Sequence, residues 1–311
     1  MEYIGLIAGK SGDSLTEEIQ KKGYKVALVV GKEKEPGYDI ADKVLVTDLS
    51  NQEEIYKFFS TLQVKYLIVG TGHIVVLRTI KYLEKKGIKL SIDLEKTFLC
   101  KDKYLFKKEI EKTEYLTPKY ILFKKESNQE ENIKEILTKF EFPIVLKSPI
   151  DKREPIAVNN ISELKEYYEN IKKLDSDILI EEYISGSDVT VPVVSNKVDI
   201  NALGILYWSK GKVEFLKGFE NSKSYKLNNE EEVLKKISCL IKDLGIIGLS
   251  RADIVVKDNG EIYILEVNSI IVCGNTGSIY NQLWQEQGFN FAKITVENAL
   301  KVFEIGEEFF V

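Results

Sequence analysis

Near its C-terminus the chain reads Arg251-Ala252-Asp253-Ile254-Val255-Val256, then Lys257-Asp258-Asn259-Gly260, then Glu261-Ile262-Tyr263-Ile264-Leu265-Glu266-Val267-Asn268. Two β-rich runs flank an Asp-Asn-Gly turn, which predicts a hairpin. Alternate strand residues share a face. Arg251 and Asp253 therefore point one way on the first strand, and Glu266 and Asn268 share one face of the second. Folding back sets Asp253 opposite Glu266, an all-oxygen cluster with an arginine beside it. Two carboxylates and an amide suit Mg²⁺, a hard ion that shares its coordination with substrate phosphates. The competing reading is a solvated hairpin face with chance acids. Both acids lie in otherwise apolar strands, where an unpaired charge is costly.

Arg251-x-Asp253 followed by Leu265-Glu266-Val267-Asn268 resembles the metal-binding signature of the ATP-grasp superfamily. The closest likeness is to the D-alanine–D-alanine ligase-like and carbamoyl-phosphate-synthase-like carboxylate ligases. Further pieces follow in the family's order. Lys147 ends an apolar strand, Phe142 to Lys147, where a lysine calls for a partner. By the resemblance, Lys147 and the earlier Lys103 contact the phosphates of ATP. The stretch Ile178 to Val191 reads as a strand, a turn at Gly186 and a second strand, which can offer backbone groups to an adenine edge; an ordinary hairpin fits the same residues. In the family this hinge holds the base, so the resemblance implies Glu181 and Glu182 near the adenine amino group, a main-chain contact from Ile184, and Asp188 on the ribose hydroxyls. It also implies Mg²⁺, with Mn²⁺ as a substitute, on Asp253, Glu266 and Asn268. Arg251 would steady the transferring phosphoryl group.

The fold this implies is mixed α/β and α+β, an ATP-grasp fold behind a Rossmann-like N-terminal domain. The expected lobes are residues 1–100, a lid of 101–178, and 179–311 with the metal cluster. The implied reaction phosphorylates a substrate carboxylate and lets an amine, amino-acid-like in character, capture the acyl phosphate. The partners are ATP and small carboxylate and amine substrates, and a homodimer is the assembly common among such relatives.

There are departures from the family pattern. The loop after Lys147 lacks glycine, reading Ser148-Pro149-Ile150-Asp151-Lys152-Arg153-Glu154-Pro155, so side chains replace the usual amide cradle. Lys152 and Arg153 become candidate charged clamps. After Asn268 the usual Pro-Gly pair is replaced by Ser269-Ile270-Ile271-Val272-Cys273-Gly274, running on to Ser278. Ser278 is a candidate for gripping the substrate carboxylate, and Cys273 reads as a small loop residue rather than a nucleophile. The glycine-free loop leaves two competing readings, a non-catalytic or regulatory ATP-binding protein and a small-molecule kinase.

The elements that must position these groups are legible in outline. Tyr3 to Ala8, Lys25 to Val30, Val44 to Val46 and Lys65 to Val69 are short apolar runs separated by helical segments such as Ser14 to Lys22 and Gln52 to Thr61. That alternation predicts a parallel sheet covered on both faces. Gly5, Gly9 and Gly12 do not have dinucleotide-fingerprint spacing, so they read as a ligand-side turn. Thr71-Gly72-His73 ends the fourth strand, where His73 is either buried and hydrogen-bonded or a substrate contact. Helices are expected from Asp102 to Thr113, from Asn160 to Leu174 and from Asn229 to Leu244.

Size and charge bound the rest. The 311 residues, 44% hydrophobic, can bury two or three lobes. Forty-four basic against 49 acidic residues leave a net charge of -5, with no basic stripe for nucleic acid. The lysine-rich segments read as solvated helix faces. The three cysteines and single histidine argue against a disulfide framework, a zinc site or a Ser-His-Asp triad. Without an apolar span or a signal pattern, the expectation is a cytoplasmic protein that does not enter membranes.

Overall fold

The structure, a computed structural model, describes residues 2–150, 155–172, 177–196, 198–208, 227, 229–274 and 284–308. The first sheet is parallel and contains β1 (Tyr3–Ile7), β2 (Lys25–Val30), β3 (Lys43–Val46), β4 (Tyr66–Val69) and β5 (Lys89–Leu90), in the order β3-β2-β1-β4-β5. Helices α1 (Gly12–Lys21), α2 (Gln52–Thr61) and α3 (Ile74–Lys85) connect them. Strand order reverses between β1 and β4, and a crevice at their C-terminal ends is where such sheets take ligands. The Gly9–Ser11 turn and Thr71-Gly72-His73 stand at that edge.

Two further sheets are antiparallel. One holds β6 (Tyr120–Phe123), β7 (Ile144–Lys147), β8 (Ile156–Val158) and β9 (Ile178–Glu182) in the order β6-β9-β7-β8, with α6 (Gln129–Lys139) and α7 (Ile161–Lys172) packed on it. The other holds β10 (Ser187–Ser195), β11 (Ile200–Ala202), β12 (Leu206–Trp208), β13 (Gly248–Val256) and β14 (Ile262–Asn268). Helix α8 (Glu230–Asp243) covers that sheet through Val233, Ile237, Leu240 and Ile241, an i, i+4, i+7, i+8 stripe. Between the first and second sheets lie α4 (Leu94–Lys101) and α5 (Lys103–Ile110), and α9 (Phe291–Glu308) closes the chain.

The expected lobes need correcting at both boundaries. Residue 100 lies inside α4, and residue 178 begins β9, a central strand of the four-stranded sheet, so that lobe extends to Glu182. Packing also crosses the division: Phe106 and Ile110 of α5 join the core of the β10–β13–β14 sheet. Helix α9 seals the first sheet, where Val296, Ala299 and Phe303 share a core with Leu15, Ile19 and Leu28. The ordinary-hairpin reading of Ile178 to Val191 is overturned, since β9 and β10 belong to different sheets and residues 183–186 connect the two. Gly186 is required there, because a Cβ would fall 2.5 Å from the Val256 carbonyl oxygen. Asn160 is the cap of α7, accepting from the Glu163 amide at 3.0 Å.

Candidate active site

The Asp253, Glu266 and Asn268 cluster forms where the hairpin leaves regular register. From the turn, Val256 pairs with Ile262 and Ile254 with Ile264; the register then shifts, and Asp253 pairs with Glu266 and Arg251 with Asn268. Leu265 is the extra residue of a bulge. Its effect on side-chain direction is decisive. Ile262 and Ile264 are in the core, and strict alternation would send Glu266 and Asn268 after them; the bulge instead turns Val267 into the core and the two polar residues to the opposite face.

Within the cluster, Asp253 accepts from Thr190 Oγ1 at 2.6 Å and from Asn268 Nδ2 at 3.1 Å, and Arg251 Nε lies 3.3 Å from Asp253 Oδ2. Asn268 Nδ2 also donates to Glu266 Oε1 at 2.9 Å, while Lys103 Nζ stands 3.7 Å from Glu266 Oε2. Burial, with Glu266 adding repulsion, pushes the Asp253 carboxyl up to about 6 despite Arg251, Thr190 and Asn268. Burial works the same way on Glu266, but the lysines at 103 and 147, with Asn268 and Arg251, outweigh it and hold that carboxyl below its ordinary value. The donor set fits a hard divalent cation. Two carboxylates stand on paired residues, and rotating the Asn268 amide that bridges them would turn its oxygen toward them. Thr190, from a third strand, is a member that sequence reasoning missed; its only signal is its place in the β-rich run after the hinge.

Lys147 and Glu181 meet in a buried pair. Lys147 Nζ donates to Glu181 Oε2 at 2.8 Å, and a second lysine, Lys107 of α5, lies 3.3 Å from Glu181 Oε1. Lys147 is thus paired with Glu181. One expectation is corrected: the Glu181 carboxylate, 1% exposed and held by two lysines, is not available to an adenine amino group. The Glu182 side chain is likewise engaged, accepting from the Lys119 amide at 2.8 Å. Lys107 was also missed, because it lies in a helix read as a solvated lysine face; it is 0% exposed, flanked by buried Phe106 and Ile110.

The remaining expected residues sort as follows. Lys103 opens α5 beneath its Asp102 cap, and its amide donates to the Pro149 carbonyl at 2.8 Å, tying that helix to the loop after Lys147. Ile184 lies on the connection into β10 and Asp188 is the second residue of β10; both are half-buried. His73 is exposed at the N-terminus of α3, which removes the buried-histidine alternative. Lys152, Arg153 and Ser278 lie outside the described residues. Cys273 is 4% exposed, its thiol pushed up to about 11 by burial, and its amide donates to Ser11 Oγ at 2.9 Å, as expected of a structural rather than nucleophilic cysteine. Gly274 docks so closely on the Gly9–Ser11 turn that a Cβ would sit 2.0 Å from the Lys10 carbonyl oxygen. The loop after Asn268 is thereby fastened to the ligand edge of the first sheet.

Comparison with known proteins agrees with this fold. The family model described as D-ala D-ala ligase C-terminus matches residues 110–299. A D-alanine–D-alanine ligase of Pelagibacter ubique is 28% identical over 93% of this chain and 91% of its own length. The crystal structure of D-alanine–D-alanine ligase from Bacillus anthracis, complexed with ATP, superposes with a TM-score of 0.72 at 21% identity, covering 98% of this chain and all of that one (100%). N5-carboxyaminoimidazole ribonucleotide synthetase from Thermotoga maritima superposes with a TM-score of 0.76 at 17% identity, covering 97% of this chain and 76% of that one.

Fold and homology together define an ATP-grasp carboxylate–amine ligase, an enzyme that uses ATP to form a C–N bond. Within that class, the chain belongs to the D-alanine–D-alanine ligase C-terminal family. The regulatory and kinase alternatives are not favoured. Among the described residues no helix is long and apolar enough to cross a membrane.

Proposed function

We propose that the substrates are two amino acids, with D-alanine as the first candidate in both roles because the relatives that match nearly the whole chain carry that activity in their names. ATP lies between the β6–β9–β7–β8 sheet and the β10–β13–β14 sheet. The base meets the main chain of residues 183–186, including Ile184, and Asp188 takes the ribose hydroxyls. Lys103 and Lys147 contact phosphate oxygens, and Arg153 adds a charge from the glycine-free loop. Asp253, Glu266 and Asn268 hold Mg²⁺, or Mn²⁺ in its place, which when bound neutralises phosphate charge. The observation that carries this reading is the bulged register that turns Glu266 and Asn268 to the face of Asp253 and Arg251, where Lys103 of α5 also reaches Glu266.

The acceptor substrates lie at the crevice of the first sheet, near His73 and the Gly9–Ser11 turn, with Ser278 gripping the carboxylate. An oxygen of that carboxylate attacks the γ-phosphorus, the bond to the β-γ bridging oxygen breaks, and ADP leaves. Arg251 balances the charge on the moving phosphoryl group. The amine nitrogen of the second substrate, having lost a proton, then attacks the carbonyl carbon; phosphate leaves with the bonding electrons, and an amide remains. Positioning and charge carry most of this chemistry. We place the enzyme in the cytoplasm, where ATP is supplied, and a homodimer is the proposed assembly.

ADP release measured against D-alanine, L-alanine and a panel of other amino acids tests the proposal. The expected result is turnover that needs both substrates and yields a dipeptide by mass spectrometry. ADP release with a phosphorylated product and no amine dependence would replace ligation by kinase chemistry. D-alanine turning over no better than L-amino acids would remove it as the substrate.

A further inference from the structure

The Lys107–Glu181–Lys147 cluster sets two buried lysines on one buried carboxylate. Lys107 is 0% exposed, Glu181 1% and Lys147 7%. Glu181 Oε2 accepts from Lys147 at 2.8 Å, and Oε1 faces Lys107 at 3.3 Å. Lys107 also donates to Thr117 Oγ1 at 2.9 Å and sits 5.6 Å from the centre of the Tyr120 ring. One lysine would neutralise one buried carboxylate. A second buried lysine adds a desolvation cost that Glu181, shared with Lys147, and the more distant Glu266 offset only in part. That cost is visible in Lys107, whose ammonium burial pushes down to about 8 even with Glu181 beside it.

The two lysines differ in what they can do next. Lys147 ends β7 at the root of the loop tied to α5, whereas Lys107 is enclosed between helix and sheet. If Lys147 turns to phosphate, its bond to Glu181 weakens or breaks, and a buried carboxylate stripped of its partner would be strongly destabilising. Lys107 removes that obstacle. We propose that Lys107 is a positioning residue of the nucleotide site, holding the charge of Glu181 so that Lys147 can exchange Glu181 for the phosphates of ATP. The proposal rests on the reading that Lys147 binds phosphate. Glu181 then parks Lys147 before ATP arrives, and Lys107 keeps the pocket neutral afterwards.

Isothermal titration of ATP and of adenosine against wild type, Lys107→Met, Lys107→Met/Glu181→Gln and Lys147→Met tests this. Lys107→Met should weaken ATP by about tenfold or more, because Lys147 becomes the sole counter-charge of a buried anion, while adenosine affinity stays within about twofold. Removing that anion as well should restore ATP affinity to within about threefold of wild type. A purely structural lysine would weaken ATP and adenosine together and gain nothing from the second substitution; either result overturns the proposal. Should Lys107→Met not fold by circular dichroism, the double variant decides, since it carries no unpaired carboxylate: ATP affinity near wild type supports the charge exchange, and a tenfold loss or failure to fold overturns it. Unchanged ATP affinity in Lys147→Met would refute the phosphate reading of Lys147 itself, which separates that failure from this one.

Discussion

Replacing Thr190 by valine tests the electrostatics of the metal cluster with almost no change in shape. Thr190 is 0% exposed, pairs with Asp253 across the β10–β13 ladder, and donates its hydroxyl to Asp253 Oδ1 at 2.6 Å. That bond favours the ionised carboxylate against the burial that pushes Asp253 up to about 6. A hydrogen bond to a charged group contributes about 1.5 to 3 kcal/mol. At about 1.4 kcal/mol per pH unit, its loss should raise the Asp253 titration by about 1 to 2 pH units. At pH 7 the metal-free wild type is then about nine-tenths ionised at this site, and the variant about half to one-tenth. A divalent cation must displace that proton. The Mg²⁺ concentration for half-maximal ADP release should therefore rise about twofold to tenfold at pH 7 and return to within about twofold of wild type near pH 9. Carboxyl ¹³C NMR of the metal-free protein reads the titration directly, and Mg²⁺ activation curves at the two pH values read its consequence. An Asp253 titration unmoved by the substitution, or an Mg²⁺ deficit as large at pH 9 as at pH 7, would refute the reasoning.

Glu266→Gln keeps the shape of the cluster and removes a charge, so Mg²⁺-dependent ADP release should be lost while the circular dichroism spectrum and melting transition persist; near-normal turnover would take the hairpin out of the site. Asp188→Ala should weaken ATP by about 1.5 to 3 kcal/mol, read by calorimetry, with less effect on inorganic triphosphate, which lacks the ribose. Gly274→Ala, whose Cβ would meet the Lys10 carbonyl oxygen at 2.0 Å, should lower the melting temperature and raise the KM for amino acid more than that for ATP, because the loop must lift off the Gly9–Ser11 turn. Stability against pH should carry the mark of Lys107, depressed from 10.5 to about 8: between those values the unfolded chain binds more protons, so folding stability rises with pH across that window. Urea melts between pH 8 and 10 should show wild type gaining stability relative to Lys107→Met/Glu181→Gln, and parallel profiles would contradict the burial argument.

Local pattern was enough for much of this protein. Gln52 to Thr61 reads as amphipathic and is a helix over those residues, and the apolar runs of the first lobe are parallel strands because both faces of that sheet are covered. The Asp253, Glu266 and Asn268 cluster was legible because residue type and order survive whatever register the hairpin adopts. The pairing of Asp253 with Glu266 was legible too, from their distances to the turn, but the bulge between them and the turn was not. Simple alternation from Ile262 and Ile264 would bury Glu266, and the bulge at Leu265 turns it to the opposite face. Tertiary structure likewise decided the fate of charges. Glu181 and Lys107 have the composition of surface residues, and their burial against one another depends on α5 docking over β9, a contact between segments about 70 residues apart that no local periodicity encodes. The hinge was ambiguous for the same reason: whether β9 and β10 form a hairpin or join two sheets depends on which strands they pair with, and those partners, β6 and β7 for one and β13 for the other, lie far along the chain.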